Sequence, residues 1–196
     1  MFSEELEKID YSILVPGHGI SSTTKEPIKE NIAYLEYLDN TLKKAAKEGL
    51  DIFEILSSIS DNMIIFNAGF ILGSQANNQK IILAGGTQMA AVLLVVNSIL
   101  RSMEGSIDSS NLALCTTKWI NKDQDSNIKA LLEQLDFPIN AYASDFDFEQ
   151  SSHPALKLYD EGEAKEGVGC GAALCYAAIN GLTKTQVTKK IESFLG

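Results

Sequence analysis

Four short runs of apolar residues alternate with longer segments in which apolar residues recur at helical spacing. The short runs predict strands covered on both faces, at Tyr11–Val15, Lys80–Ala84, Leu112–Thr116 and Ile139–Ala143. The longer segments predict helices from Pro27 to about Lys47, from the cap Asp51 through Ile59, and over Met63–Gln75, Thr87–Ser102, Gln124–Leu135, Gly171–Ile179 and Lys184–Phe194. Helices placed between buried strands imply right-handed β-α-β crossovers, so the pattern predicts an α/β fold with a parallel sheet.

The uncharged run from Ile81 to Leu100 is long enough to suggest a membrane span. Its polar tetrad Gly85-Gly86-Thr87-Gln88 divides the run, however, into a short strand and a helix. We therefore predict a buried strand, a turn and a helix here, and no membrane association.

Composition narrows the class of protein further. A chain of 196 residues that is 45% hydrophobic buries one good core, which predicts a single domain over residues 1–196. The net charge of −10 argues against nucleic acid or an anionic membrane surface as a partner. The three cysteines form no CxxC pair, and the N-terminus "MFSEELEKIDYS" lacks the features of a signal peptide. These features predict reduced thiols and a cytoplasmic location.

Two glycine-rich turns are candidates for binding an anion. The first, "LAGGTQMAAV", follows a predicted strand, where Gly85 and Gly86 allow close approach of a ligand and Thr87 can cap the next helix. The second, "KEGVGCGAALCYAA", opens a helix of small residues and carries Glu166. Tight packing without a ligand explains the first turn equally well. From the residues alone, Lys165 and Glu166 are better explained as exposed turn residues.

Other polar residues have ordinary explanations as well as functional ones. The alternating acids of "SDFDFE", Asp145, Asp147 and Glu149, could bind a hard cation, but a solvated acidic turn is the preferred interpretation. His18 is interpreted as a solvated loop histidine, and His153 is expected just before a helix without a metal. A helix N-terminus could lower the pKa of Cys170, but a small residue filling a tight space is the simpler explanation.

The two glycine blocks together resemble one family. "LAGGTQMAAV" and, about eighty residues later, "AKEGVGCGAA" are similar to blocks of the nicotinate-nucleotide–dimethylbenzimidazole phosphoribosyltransferases, specifically of their divergent prokaryotic relatives. "SDNMIIFNAGFILGSQ" resembles the segment just upstream. The likeness extends over roughly residues 20–196 and corresponds to the C-terminal half of that family.

This resemblance implies a Rossmann-like three-layer fold with a mostly parallel sheet flanked by helices. It also implies transfer of ribose phosphate from nicotinate mononucleotide to a benzimidazole base, the reaction that supplies the lower ligand of cobamides. In the family the glutamate of the E-G-x-G block is the general base, and that residue is Glu166 here. The residues implied to bind substrate are Gly85, Gly86, Thr87, Gln88, Lys165, Gly167, Val168 and Gly169. No metal and no cofactor are implied.

The chain also departs from the family pattern. The family's N-terminal half carries a G-E-x-x-P-G-G-T-T-T-A block, of which "LVPGHGISSTT" is at most a shortened form. Three hypotheses follow: a compact transferase completed as a homodimer, a nucleotide-binding module that has lost catalysis, or one subunit of a split enzyme. The first is preferred, with small-molecule substrates and a second copy of the chain as partners.

Overall fold

A computed structural model of the chain describes residues 48–49, 51–60, 62–77, 79–123, 126–162 and 168–195, with the backbone alone at 58 and 59. The predicted strand Tyr11–Val15, the predicted helix between Pro27 and Lys47, and the candidate His18 lie outside these residues.

Three parallel strands form the described sheet. They are β1 (Ile81–Ala84), β2 (Leu112–Thr117) and β3 (Asn140–Ser144), and they are ordered β1-β2-β3. In register, Ile81 lies beside Leu112, and Ala113 lies beside Asn140. Because all three strands are parallel, their carboxyl ends meet at one edge of the sheet. The three strand predictions in this part of the chain are confirmed to within one residue.

Eight helices surround these strands in the described residues. They are α1 (Ile52–Ile59), α2 (Asn62–Ser74), α3 (Thr87–Ser102), α4 (Lys118–Lys122), α5 (Ile128–Leu132), α6 (Pro154–Asp160), α7 (Cys170–Ile179) and α8 (Lys184–Leu195). Short 3₁₀ turns occupy Gln75–Asn77 and Ser109–Asn111. The predicted cap is confirmed, since the Asp51 carboxylate accepts a hydrogen bond from the Phe53 N–H at 2.9 Å.

One helix prediction was wrong at both ends. A single helix was expected over Gln124–Leu135, but α5 covers only Ile128–Leu132. Asn127 just before it has φ 44, in the left-handed region, so a continuous right-handed helix cannot extend back through this residue. The short helix α4, directly after β2, was not predicted.

The helices cover the sheet on both faces, which makes the fold Rossmann-like. Leu112 and Leu114 of β2 belong to one hydrophobic core with the buried length of α3, which also packs on α2 and α5. On the opposite face, Cys115 of β2 contacts Cys175 of α7, and α7 approaches all three strands. The sheet is therefore enclosed between α3 and α7, as the predicted α/β class requires.

The outer strands are less covered than the sequence suggested. Strands buried on both faces were expected, but Ile82 of β1 is 51% exposed and Tyr142 of β3 is 55% exposed. Five of the six residues of the central strand β2 are buried, whereas β3 buries only Ser144. The difference arises because β1 and β3 have a neighbour on one side only within the described sheet.

The uncharged run from Ile81 to Leu100 forms β1, a turn and most of α3, as predicted. Its polar residue Asn97 is only 2% exposed, and its side-chain carbonyl accepts a hydrogen bond from the Asp136 N–H at 3.0 Å. Arg101, one turn further along α3, also pairs with the Asp136 carboxylate through two nitrogens. Among the helices of the described ranges, none combines the length and hydropathy that crossing a membrane demands.

Candidate functional site

The turn between β1 and α3 holds four of the residues predicted to bind substrate. The Gly85 N–H donates to the Cys115 carbonyl at 3.1 Å, which fastens the turn to the central strand. Gly86 is the N-cap of α3, and its carbonyl accepts from the Met89 and Ala90 N–H groups. Thr87 was predicted to cap this helix, but that prediction was wrong. Because Gly86 already occupies the cap position, Thr87 is the first helical residue, and no side chain caps this N-terminus.

The second predicted turn lies directly against the first. A Cβ built on Gly86 would be 3.3 Å from a side-chain methyl of Val168 and 3.3 Å from one of Ile120. A Cβ on Gly169 would be 3.5 Å from the Ala84 carbonyl oxygen. The structure thus brings together two segments that are about eighty residues apart in the chain. We call Gly85–Gln88 together with Val168–Gly169 the glycine-turn site.

Three other predicted residues, Lys165, Glu166 and Gly167, lie outside the described residues. Glu166 nevertheless precedes Val168 by only two residues, and two residues of chain span at most about 7 Å. The described part of the site therefore adjoins the candidate general base along the chain.

The beginning of α7 shows a contact that sequence analysis missed. A Cβ on Gly171 would be 2.3 Å from the carbonyl carbon of Thr116 and 2.5 Å from its oxygen, which no real side chain tolerates. Glycine at 171 therefore lets the first turn of α7 rest on the backbone of β2. The run of small residues around it was the available signal, but spacing along a helix does not show which small residue is in contact.

Cys170 does not have the role expected for it. It was interpreted as a small residue filling a tight space, but the residue is exposed, and Gly171 occupies the tight space instead. Although the residue as a whole is exposed, desolvation of the thiol raises the pKa of Cys170. The thiol is therefore not activated by the start of α7.

The other two cysteines face each other between β2 and α7. Desolvation, together with the neighbouring Cys175, raises the pKa of the buried Cys115 thiol to about 11. All three cysteines are free thiols, as predicted. At neutral pH Cys115 is protonated and packs as a small apolar side chain.

In the acidic stretch after β3, Asp147 forms an ion cluster with two lysines. The Asp147 carboxylate is 12% exposed and lies 2.9 Å from the Lys118 ammonium and 3.0 Å from that of Lys184. Desolvation opposes its charge, but hydrogen bonds and charges from both lysines outweigh this effect and lower the pKa of Asp147. The preferred interpretation was wrong for Asp147, because the fold brings two lysines to it. It holds for Asp145, which is 86% exposed, and for Glu149, which is an exposed turn residue.

His153 precedes a helix as predicted, since it is the N-cap of α6 with Pro154 following. Nearby, the Asp160 carboxylate accepts hydrogen bonds from Trp119 Nε1 and from the Phe148 N–H, which fastens α6 and the loop after β3 to α4. Within the described ranges, no group of three or more His, Cys, Asp or Glu side chains could hold a metal ion.

A cleft of about 580 Å³ lies between α5 and β3. Its walls include Leu114, Thr116, Asn121, Ile128 and Tyr142. None of the predicted site residues lines this cleft. Its walls are mainly apolar, whereas the glycine-turn site offers two helix N-termini, and an anionic ligand favours the second environment.

Comparison with known proteins finds several relatives that carry the same family name. No protein-family model matches the chain. Its relatives are UPF0284 proteins. The one from Aeropyrum pernix is 34% identical over 146 residues, which are 74% of this chain and 39% of the relative. The one from Methanocaldococcus jannaschii is 35% identical over 153 residues, which are 78% of this chain and 43% of the relative. The one from Sulfurisphaera tokodaii is 37% identical over 142 residues, which are 72% of this chain and 38% of the relative. The chain spans about two fifths of the length of these curated relatives, whose name states no activity.

Proposed function

We propose that the chain transfers a phosphoribosyl group from nicotinate mononucleotide to a benzimidazole-type base. The product is the α-ribazole phosphate used to assemble the lower ligand of cobalamin. The observation that carries this proposal is the contact of Gly86 with Val168 at the carboxyl ends of parallel strands. Ligands of open parallel sheets bind beyond that edge.

The geometry suits a phosphorylated ligand. Helix α3 (16 residues) and helix α7 (10 residues) both begin at the glycine-turn site, and neither has a side chain capping its N-terminus. Unpaired N–H groups and the positive end of the helix dipole favour phosphate at such positions. In a chain of net charge −10, a local arrangement of this kind is needed to attract an anion.

Glu166 completes the proposed chemistry. One nitrogen of the base attacks C1′ of the ribose, and the bond between C1′ and the pyridinium nitrogen breaks. The electron pair of that bond neutralises the ring, so nicotinate leaves without needing a metal. As the new N–C1′ bond forms, the second nitrogen of the base becomes acidic, and the Glu166 carboxylate accepts its proton.

The proposal includes a homodimer in the cytoplasm, with the second copy completing the pocket. The alternatives are a nucleotide-binding module without catalysis and one subunit of a split enzyme. Both predict retention of the mononucleotide site without turnover by this chain alone.

The first test is nicotinate release by the purified chain supplied with nicotinate mononucleotide and dimethylbenzimidazole. We expect release that depends on the base and falls at least a hundredfold in Glu166→Gln, since general-base catalysis contributes about 10²–10⁴ in rate. Glu161→Gln is the matched control, because Glu161 is an exposed glutamate just past α6. Its rate should equal that of the wild type.

Release that continues in Glu166→Gln would contradict the assigned base. Saturable binding of the mononucleotide without release would support the binding module or the split enzyme. Neither binding nor release would contradict the proposed function altogether.

A further inference from the structure

The junction of β2 and α4 lies beside the glycine-turn site. Thr116, near its start, contacts Gly171 through its backbone, and Ile120, at its end, contacts Gly86. Thr117 lies between these two contacts along the chain. Its side chain is only 1% exposed, and its hydroxyl has no hydrogen-bond partner among the described residues. A buried hydroxyl without a partner is costly, so it calls for a physical explanation.

The face on which Thr117 lies follows from the alternation of side chains along a strand. Cys115 lies on the face covered by α7, where it contacts Cys175, so Thr117 lies on that same face. Thr116 points to the opposite face, where it lines the cleft beside α5. The Thr117 hydroxyl therefore lies on the side from which α7 and the second glycine turn approach.

Among the described residues, no other group engages this hydroxyl. Thr117 is the N-cap of α4, a position where threonine commonly accepts a hydrogen bond from its own helix, yet its side chain makes no such bond. Lys118, the next residue, is already paired with Asp147. The hydroxyl is thus a donor beside the start of α7 that is not engaged elsewhere in the described residues.

We propose that the Thr117 hydroxyl donates a hydrogen bond to a phosphate oxygen of the ligand bound at the start of α7. The inference rests on the proposed function and adds a residue to its substrate site. Phosphate oxygens are charged acceptors that form short, strong hydrogen bonds with hydroxyl donors. In the complex, the phosphate would pair with the Thr117 hydroxyl. The free-energy cost of leaving this buried hydroxyl unpaired in the free protein would thereby be relieved.

The test measures binding of nicotinate mononucleotide to the full chain by calorimetry, without the acceptor base. Thr117→Val keeps the shape and removes the hydroxyl, and we expect its affinity to fall about tenfold or more. Thr117→Ser keeps the hydroxyl and should bind within about threefold of the wild type. Thr116→Val is the matched control, since that buried hydroxyl is also unpaired in the described residues but faces away. Inorganic phosphate, as a competitor, should also lose affinity in Thr117→Val.

A structural role alone would give a different pattern. Removing an unpaired buried hydroxyl should leave the unfolding midpoint of Thr117→Val unchanged or raised, although ligand affinity falls. If the midpoint of Thr117→Val falls, the affinity of Thr117→Ser for the mononucleotide distinguishes the two explanations. An affinity restored to the wild-type value supports the inference, and an affinity that is not restored overturns it. Equal affinities of Thr117→Val and the wild type, or equal losses in both valine variants, would also overturn it. Absence of binding by the wild type contradicts the proposed function itself, and the inference fails with it.

Discussion

Helices α2 and α7 both contain glycines, but the two helices use them differently. On α2, Cβ atoms built on Gly69 and Gly73 would meet no atom of the described residues within 4 Å. On α7, a Cβ at Gly171 would overlap the backbone of β2. Among the described residues, the same residue type thus lies on an open face in one helix and in a close helix–strand contact in the other.

The difference between the two helices reflects how tightly each one packs against the rest of the structure. The open face of α2 also carries Phe66, 71% exposed, and Phe70, 51% exposed. The start of α7, in contrast, has backbone against backbone, and its surroundings are tied by the ion cluster at Asp147 and by Asp160. We expect substitutions that disturb these backbone and ionic contacts to be costly and substitutions on the α2 face to be tolerated.

Gly171→Ala should have the largest effect. A methyl group at 2.3 Å from a backbone carbon forces α7 away from β2, so we expect the free energy of unfolding to fall by about 3 kcal/mol. Urea denaturation measures the change, and Gly73→Ala is the matched control for the same chemical substitution. A loss below about 1 kcal/mol would show that α7 does not rest on β2 as described.

Asp147→Asn should have an intermediate effect. The change leaves Lys118 and Lys184 without their shared carboxylate, and we expect a loss of about 2 kcal/mol at pH 7. Asp145→Asn is the control, since that exposed carboxylate should contribute less than about 0.5 kcal/mol. Equal effects of the two substitutions would contradict the ion cluster.

The contribution of Asp147 also has a defined pH dependence. Because folding lowers the pKa of Asp147 from 3.8, its stabilising contribution is complete above that value. It is lost as the pH falls through the lower pKa of the folded state. The stability difference between the wild type and Asp147→Asn should therefore shrink below about pH 3.8, and urea denaturation across pH 2.5 to 7 measures this. A constant difference over that range would contradict the assignment.

Gly69→Ala should have the smallest effect, and of opposite sign. Alanine favours a helix over glycine, and the open position costs nothing in packing, so we expect a gain of about 0.5–1 kcal/mol. Thermal unfolding detects the gain as a higher midpoint. A loss of stability would show that this face of α2 is in contact with something in solution.

The elements of this part of the chain could be predicted from the sequence because they depend on local patterns. Apolar runs placed three strands, and Asp51 marked the start of α1. The tetrad at Gly85–Gln88 separated β1 from α3. Hydrophobic periodicity and capping chemistry act over a few residues, so neighbouring positions in the sequence determine where these helices and strands form.

The tertiary structure alone determined the contacts between residues that are distant in the chain. Three contacts depend on how the elements pack: that of Gly86 with Val168, that of Asp147 with two lysines, and that of Gly171 with the backbone of Thr116. The unpaired hydroxyl of Thr117 belongs with them, because a threonine ending a strand finds or lacks a partner only once its neighbours are in place. Local sequence determines which elements form, but the burial and partners of a polar group are properties of the assembled fold.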